Sequence, residues 1–266
     1  MNTRYFVPLL VGSILLAQGS AAWAASVTLT PDKDNTIVQV TSPTGQLSNG
    51  EGDIFVGRTA QDGSGATVAV TSIRRGLVHF NVAGSGIPSN AVITGVTLQM
   101  TNVMSQNGDQ TLSLEPVTQD WGQGTSNFPG GVGAPATQND ATWLYTFYNA
   151  TTPSASTTWN TPGGDFSGTI SASTVDPGGQ TGNVISWSSS QMVADVQSWL
   201  NDPSGNFGWG ILGNESVGQT AKRLNSSESA NPPQLIITYR VPEPASIALA
   251  FAGAVGLLLA ARRRAA

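Results

Sequence analysis

The sequence contains no cysteine and a single histidine. Without cysteine the protein has no disulfide framework, no thiolate metal site and no thiol nucleophile. A catalytic Ser-His-Asp arrangement would depend wholly on His79, and no Gly-x-Ser-x-Gly segment accompanies it. We therefore expect a protein that is not an enzyme, with a pair of carboxylates as the one remaining route to catalysis.

Charged residues are also scarce. They make up 10% of the 266 residues, and 11 Lys and Arg stand against 16 Asp and Glu. Typical soluble domains have about 25% charged residues. The net charge of −5 comes without any basic stripe in the sequence, whereas binding to phosphate backbones requires clustered cations. We predict that nucleic acid is not a partner.

Glycine and proline are abundant, with 31 and 15 residues, and they punctuate short segments of alternating apolar and polar residues. This period of two is typical of antiparallel strands with one buried face. The segments are 78–82, 96–101, 111–115 and 235–239. We predict an all-β fold, an antiparallel β-sandwich of the jelly-roll type, in one domain over residues 25–240.

Two segments depart from this pattern. Apolar residues between Met192 and Leu200 follow a spacing of three to four after a capping Ser189 or Ser190, which predicts one short amphipathic helix ending at Asn201-Asp202-Pro203. The stretch 122–139 is rich in Gly, Pro, Gln and Ser and lacks periodicity. It predicts a long loop, a kind of segment that often carries binding.

The first 24 residues are typical of a secretory signal peptide. Arg4 precedes an apolar run at 6–16, and Ala22-Trp23-Ala24 supplies small residues at the two positions that signal peptidase reads. We predict cleavage before Ala25. The alternative is an uncleaved anchor, against which the shortness of the apolar run argues.

The C-terminal residues 241–266 are typical of a second targeting segment. An apolar stretch at 245–261, just long enough for a short membrane helix, is preceded by a Pro-Glu-Pro triplet and followed by an arginine cluster that should stay cytoplasmic. In order and spacing this resembles a PEP-CTERM sorting signal. The residues that carry the resemblance are Pro242, Glu243, Pro244, Arg262, Arg263 and Arg264.

The PEP-CTERM resemblance implies processing by an exosortase in a Gram-negative bacterium that makes extracellular polysaccharide. The body would be anchored transiently in the inner membrane and then reach the cell surface or the extracellular matrix. A permanent C-terminal anchor is the alternative. Without the two terminal segments, the mature body has seven Lys and Arg residues and fifteen Asp and Glu residues, which give a net charge of −8.

The body itself resembles a DNRLRE-type domain. The segments that carry this resemblance are Asp34-Asn35-Thr36, Ser48-Asn49-Gly50, 74–80, 118–125, Asp140-Ala141-Thr142-Trp143, 193–200, Phe207-Gly208-Trp209 and 223–239. The resemblance implies a secreted β jelly roll related to carbohydrate-binding modules. The sequence departs from the family pattern at Ser227, where a second arginine is expected.

Acidic and amide side chains in one turn suggest a calcium site. Asn49, Glu51 and Asp53 present oxygen ligands at alternate positions in a turn punctuated by glycine, although the full EF-hand spacing is absent. Asp34 or Asp165 could serve instead. Calcium is the one cofactor that the sequence suggests.

Tryptophans in turn-rich contexts suggest a sugar-binding platform, because an indole face stacks on the apolar face of a pyranose. Trp121 and Trp159 are the candidates, with Asp120 beside the first. Arg74 and Arg75 could pair with acidic sugars or form structural ion pairs.

Asp120 also offers the best catalytic carboxylate pair, with Asp140 or Glu115. The simpler interpretation is that Asp120 anchors its own loop. We expect an exported, non-catalytic protein that associates with extracellular polysaccharide. The alternatives are a biofilm-matrix protein without a defined glycan and, third, a polysaccharide-degrading enzyme.

Overall fold

The computed structural model describes residues 24–60, 73–105, 108–179, 181–242 and 262–263. The strands are β1 (Ala24–Leu29), β2 (Lys33–Val38), β3 (Leu47–Ser48), β4 (Ile54–Arg58), β5 (Ile73–His79), β6 (Val92–Ser105), β7 (Gln110–Pro116), β8 (Ala134–Pro135), β9 (Tyr145–Phe147), β10 (Thr157–Thr158), β11 (Ala172–Asp176), β12 (Val184–Trp187), β13 (Trp209–Leu212), β14 (Lys222–Leu224) and β15 (Gln234–Arg240). The helix α1 spans Ser190–Asn201, and 3₁₀ turns lie at Ala83–Ser85, Pro153–Ala155 and Pro203–Gly205. Ala24–Val241 form one compact unit.

The strands build an antiparallel sandwich. One layer has the order β1-β15-β6-β12, and the other has the order β2-β5-β13-β7-β11. The far end of the long strand β6 pairs with β14, which pairs with β4, and β4 pairs with β5. This corner joins the two layers. The all-β prediction is confirmed, as are antiparallel pairing and the presence of one helix in the body.

The main core lies between the layers. Val96, Leu98 and Met100, which alternate with polar residues in β6, are at most 1% exposed. Full burial of such side chains contributes about 1.5–3 kcal/mol each relative to exposure. The alternation thus fixes which face of β6 points inward.

Helix α1 covers one part of this core. Ser189 caps it by accepting a hydrogen bond from the backbone N–H of Met192 at 3.0 Å, and Asp202 follows its last residue. Met192 and Val196 are fully buried among the core residues. The predicted start, end and buried face of the helix agree with the structure.

A second core lies on the outer face of the β2-β5 layer. Leu77 and Val78 are consecutive in β5 and therefore point to opposite faces. Val78 belongs to the main core, whereas Leu77 packs in a separate cluster with Ile37 and tryptophans from the connection between β7 and β11. This connection, residues 117–171, folds back over the sheet and makes β2 and β5 buried on both faces.

Among the described residues, none of the helices is long and apolar enough to cross a membrane. The predicted signal peptide up to residue 23 and the predicted membrane helix at 245–261 lie outside the described residues, as do Glu243, Pro244 and Arg264.

Candidate functional site

Trp121 and Trp159 belong to the second core. They are 0% and 4% exposed, and their indole N–H groups donate to the backbone oxygens of Phe207 and Thr142 at 2.9 and 2.8 Å. The prediction that these two tryptophans form an exposed platform is therefore wrong. Their rings pack the 117–171 connection against the sheet, and neither ring face is available to a sugar.

Asp120 anchors the start of that connection. Its carboxylate lies 2.6 Å from Lys33 Nζ and accepts the backbone N–H of Trp121 at 2.8 Å. Lys33 Nζ also donates to the Trp121 carbonyl and lies 4.6 Å from the centre of the indole ring. Asp140, the suggested catalytic partner, is fully buried, and burial raises the pKa of its carboxyl. It has no access to a substrate.

The two arginines have different structural roles. Arg74 is fully buried, and its Nε donates to the Gly131 carbonyl. Arg75 forms a two-pronged ion pair with Glu215, with N···O distances of 2.7 and 2.8 Å, and its guanidinium lies 4.9 Å from the ring centre of Trp143. Of the two interpretations left open for Arg75, the structural ion pair matches these contacts.

The turn suggested as a calcium site does not bring its side chains together. Asn49 Nδ2 donates to the Asp53 carbonyl at 2.8 Å, and Asn49 Oδ1 accepts the N–H of Phe128 at 2.7 Å. The Asp53 carboxylate instead pairs with Arg223 at 2.5 Å, and Glu51 is exposed. In the described part of the chain, no three His, Asp or Glu side chains are grouped so that they could hold a metal ion.

Asp165, the alternative calcium ligand, also makes its hydrogen bonds within its own turn. Its carboxylate accepts the backbone N–H groups of Asn160 and Thr161 at 2.7 and 2.9 Å. The oxygens of this side chain therefore stabilise local backbone, as Asp does in many turns.

Asp34 lies in a buried polar network that the sequence did not reveal. One carboxylate oxygen accepts the N–H of Ser227 at 2.7 Å, and the other has no partner in the described structure. The pKa of this carboxyl is raised to about 7, mainly by burial and to a smaller extent by the nearby charges of Glu228 and Asp53, against the lowering effect of the hydrogen bonds from Ser227. Gln123 ties the network together by accepting the Asp34 N–H at 3.1 Å and donating to Glu228 at 2.8 Å.

Asn35 extends this network. Its Oδ1 accepts hydrogen bonds from Ser48 Oγ and from the backbone N–H of Asn49, and its Nδ2 donates to the Gln123 carbonyl at 2.9 Å. Segments separated by up to 193 residues in sequence thus meet at one place. Their polar residues hold three loops together.

A groove of about 320 Å³ lies at the corner where β4, β6 and β14 meet. Phe55 packs against Gly131, and the Arg223 guanidinium lies 5.7 Å from the Phe55 ring centre. Met104, 41% exposed, lines one side, and the segment 129–131 lines another. We call this the Phe55 groove.

The predicted binding loop 122–139 contributes Pro129, Gly130 and Gly131 to the Phe55 groove, and Phe128, 40% exposed, packs beside Gly130. Phe55, Met104 and Arg223 were not predicted. They come from strands far apart in sequence, and no local pattern marks them as neighbours. Concave surfaces that combine apolar side chains with a few polar groups are the usual form of a ligand site.

The C-terminal residues 240–264 match the PEP-CTERM protein-sorting motif. Comparison with curated proteins finds no match to the chain. The motif identifies the protein as exported and sorted in a Gram-negative bacterium, with a membrane-anchored signal that an exosortase processes. This confirms the sorting signal predicted from the Pro-Glu-Pro triplet, the apolar stretch and the arginine cluster.

Proposed function

We propose that this protein is an exported, non-catalytic sandwich that binds extracellular polysaccharide at the cell surface. The observation that carries the proposal is the Phe55 groove in a body that bears a sorting motif. Met104 in the groove and Phe128 beside it, next to Gly130, offer exposed apolar surface to the C–H face of a sugar ring. Arg223 offers a charged donor to the hydroxyl or carboxylate oxygens of the sugar.

Sugar hydroxyls lose good hydrogen bonds to water when they bind. We therefore expect dissociation constants from micromolar to millimolar. The Asp53 carboxylate orients Arg223 by its 2.5 Å contact, so that the guanidinium is held at the groove rather than turning freely in solvent. Such preorganisation reduces the entropy lost on binding.

A non-catalytic role is supported by the positions of the acidic groups and the histidine. Asp120 pairs with Lys33, and Asp140 is buried. His79 Nδ1 lies 2.5 Å from Asp32 Oδ1. Asp120 is thus paired with a cation, and the buried Asp140 is out of reach of a substrate.

A matrix role without a defined glycan is the second candidate, because the two tryptophans expected to bind sugar are buried. A glycan array followed by calorimetry on the purified body distinguishes the two. The Met104→Ala, Phe128→Ala double variant should weaken binding several-fold. The matched control is Ile170→Ala, Val175→Ala, which removes exposed apolar side chains on and beside β11.

Binding that is absent from every glycan tested would favour the matrix role. Binding that survives the groove variant and is lost in the control would place the site on the β11 side. New reducing ends or unsaturated products in the assay would overturn the non-catalytic proposal.

A further inference from the structure

The two chain ends of the body lie side by side in one ladder. β1 and β15 pair antiparallel with Ala24 opposite Arg240 at one end and Leu29 opposite Leu235 at the other. Among the described strands β1 pairs with β15 alone, whereas β15 also pairs with β6. β1 is therefore an edge strand, and the chain enters and leaves the sandwich at the same point.

The predicted signal-peptide junction and the start of the sorting motif both lie at this end of the ladder. The bond at which we predict signal-peptide cleavage joins Ala24 and Ala25, and Ala25 is paired with Tyr239. The sorting motif starts at residue 240, which is the last residue of β15. Val241 still packs against the main core, so Pro242 follows the last core-packed side chain directly.

A processing enzyme that binds its substrate as an extended segment uses the same backbone N–H and C=O groups that a sheet uses. In the closed ladder, residues 24, 25, 239 and 240 already lie in paired strands. An enzyme that grips the chain on both sides of either junction therefore needs the end of the ladder to be open. Only Val241 separates β15 from the Pro-Glu-Pro triplet, and because it packs against the main core it does not relieve this requirement.

We propose that both junctions can be processed only before β1 pairs with β15. Signal peptidase and exosortase act on chains whose ladder end is open, and closure of the ladder completes maturation. Because β15 is the last strand of the body to be exported, β1 has no partner until the rest of the body has crossed the membrane. Exosortase then competes with closure. This inference rests on the sorting motif and is independent of carbohydrate binding.

The test lengthens the junction in the full chain, in a bacterium that has the exosortase. A Gly-Ser-Gly-Ser insertion between Val241 and Pro242 separates the motif from the ladder, and pulse-chase labelling follows removal of the tail. We expect tail removal to become several-fold faster. The same insertion after Gly45, an exposed residue at which an added Cβ atom would meet no residue beyond its chain neighbours within 4 Å, should leave the rate unchanged.

An unchanged or slower rate for the Val241 insertion would overturn the proposal. Equal acceleration by both insertions would also overturn it, since the effect would then not depend on the junction. Melting temperatures of the released bodies show whether each variant folds. The Val241 insertion lies beyond the last core-packed residue, so its body should melt like that of the original chain.

Discussion

The indole N–H of Trp209 donates a hydrogen bond to the buried carboxylate of Asp195 at 3.0 Å. The same carboxylate accepts Ser171 Oγ at 2.5 Å and Gln191 Nε2 at 2.9 Å. Trp209 is in β13, in one layer of the sandwich, and Asp195 is in the middle of α1. This polar contact inside an apolar core fixes the helix at one position on the sheet.

Replacing Asp195 by Ala should therefore destabilise the body strongly. It removes the acceptor of Ser171 Oγ and one of the two acceptors of Trp209 Nε1, which keeps only Ser171 Oγ at 3.1 Å. A hydrogen bond to a charged group contributes about 1.5–3 kcal/mol. We expect a loss of about 3 kcal/mol, which lowers the melting temperature of a domain this size by roughly 6–12 °C. Asp195→Asn retains an acceptor and should cost less. A thermal melt in which Asp195→Ala is neutral would show that the helix is held by apolar packing alone.

Asp34 should make stability depend on pH in the direction opposite to most carboxylates. Its pKa is about 7 in the folded protein and 3.8 as an ordinary side chain. Between these values the folded state keeps a proton that the unfolded state has lost, so this group's contribution falls as pH rises from about 4 to about 7. Above pH 7 the loss is complete, at up to about 4 kcal/mol.

The variant Asp34→Asn removes this titration. We expect it to be more stable than the original protein at pH 8 and to lose that advantage near pH 4, as measured by denaturant unfolding across the range. Glu51→Gln, which removes the charge of an exposed carboxyl, is the matched control. Parallel pH profiles for the original protein and Asp34→Asn would contradict the raised pKa.

The period of two in the sequence identified β6, β7 and β15 because each has one face in the main core. It could not identify β2, whose last five residues are all buried. The 117–171 connection covers the outer face of β2, so that strand does not alternate between apolar and polar residues. The same covering explains why two tryptophans in turn-rich segments proved to be buried.

The candidate binding sites also depend on long-range contacts that the sequence does not show. Asn49, Glu51 and Asp53 alternate as ligands should, yet Asp53 is paired with Arg223, 170 residues away in sequence. Phe55 and Met104 become neighbours at the groove only because β4 and β6 both pair with β14. Local spacing predicts the direction of side chains, and long-range partners decide how they are used.

Neither calcium nor a chelator should change the melting temperature of the body, because the side-chain oxygens of Asn49 and Asp53 already accept hydrogen bonds from Phe128 and Arg223. Asp53→Ala should lower stability by about 1–3 kcal/mol, as expected for loss of a charged hydrogen bond. The loss should be equal with calcium and with chelator. A rise of several degrees on adding calcium, abolished by Asp53→Ala, would show that the ion displaces Arg223 and binds in this turn.

Trp159 and Met104 should separate stability from binding. Trp159 is 4% exposed in the second core, so Trp159→Ala should cost about 3–5 kcal/mol and lower the melting temperature. At a temperature where the variant is folded, its affinity for polysaccharide should be unchanged, because the indole does not reach solvent. Met104→Ala should do the reverse, weakening binding with little effect on stability, since Met104 is 41% exposed.

Calorimetry gives the affinity of each variant for polysaccharide, and thermal unfolding gives the melting temperature of each. If Trp159→Ala melts normally and fails to bind, the connection must open in solution and the tryptophan must bind sugar after all. The buried hydrogen bond from its indole to Thr142, at 2.8 Å, opposes that opening, because breaking it in the apolar second core adds to the lost contact area. We therefore expect the stability loss to appear in Trp159→Ala and the binding loss in Met104→Ala.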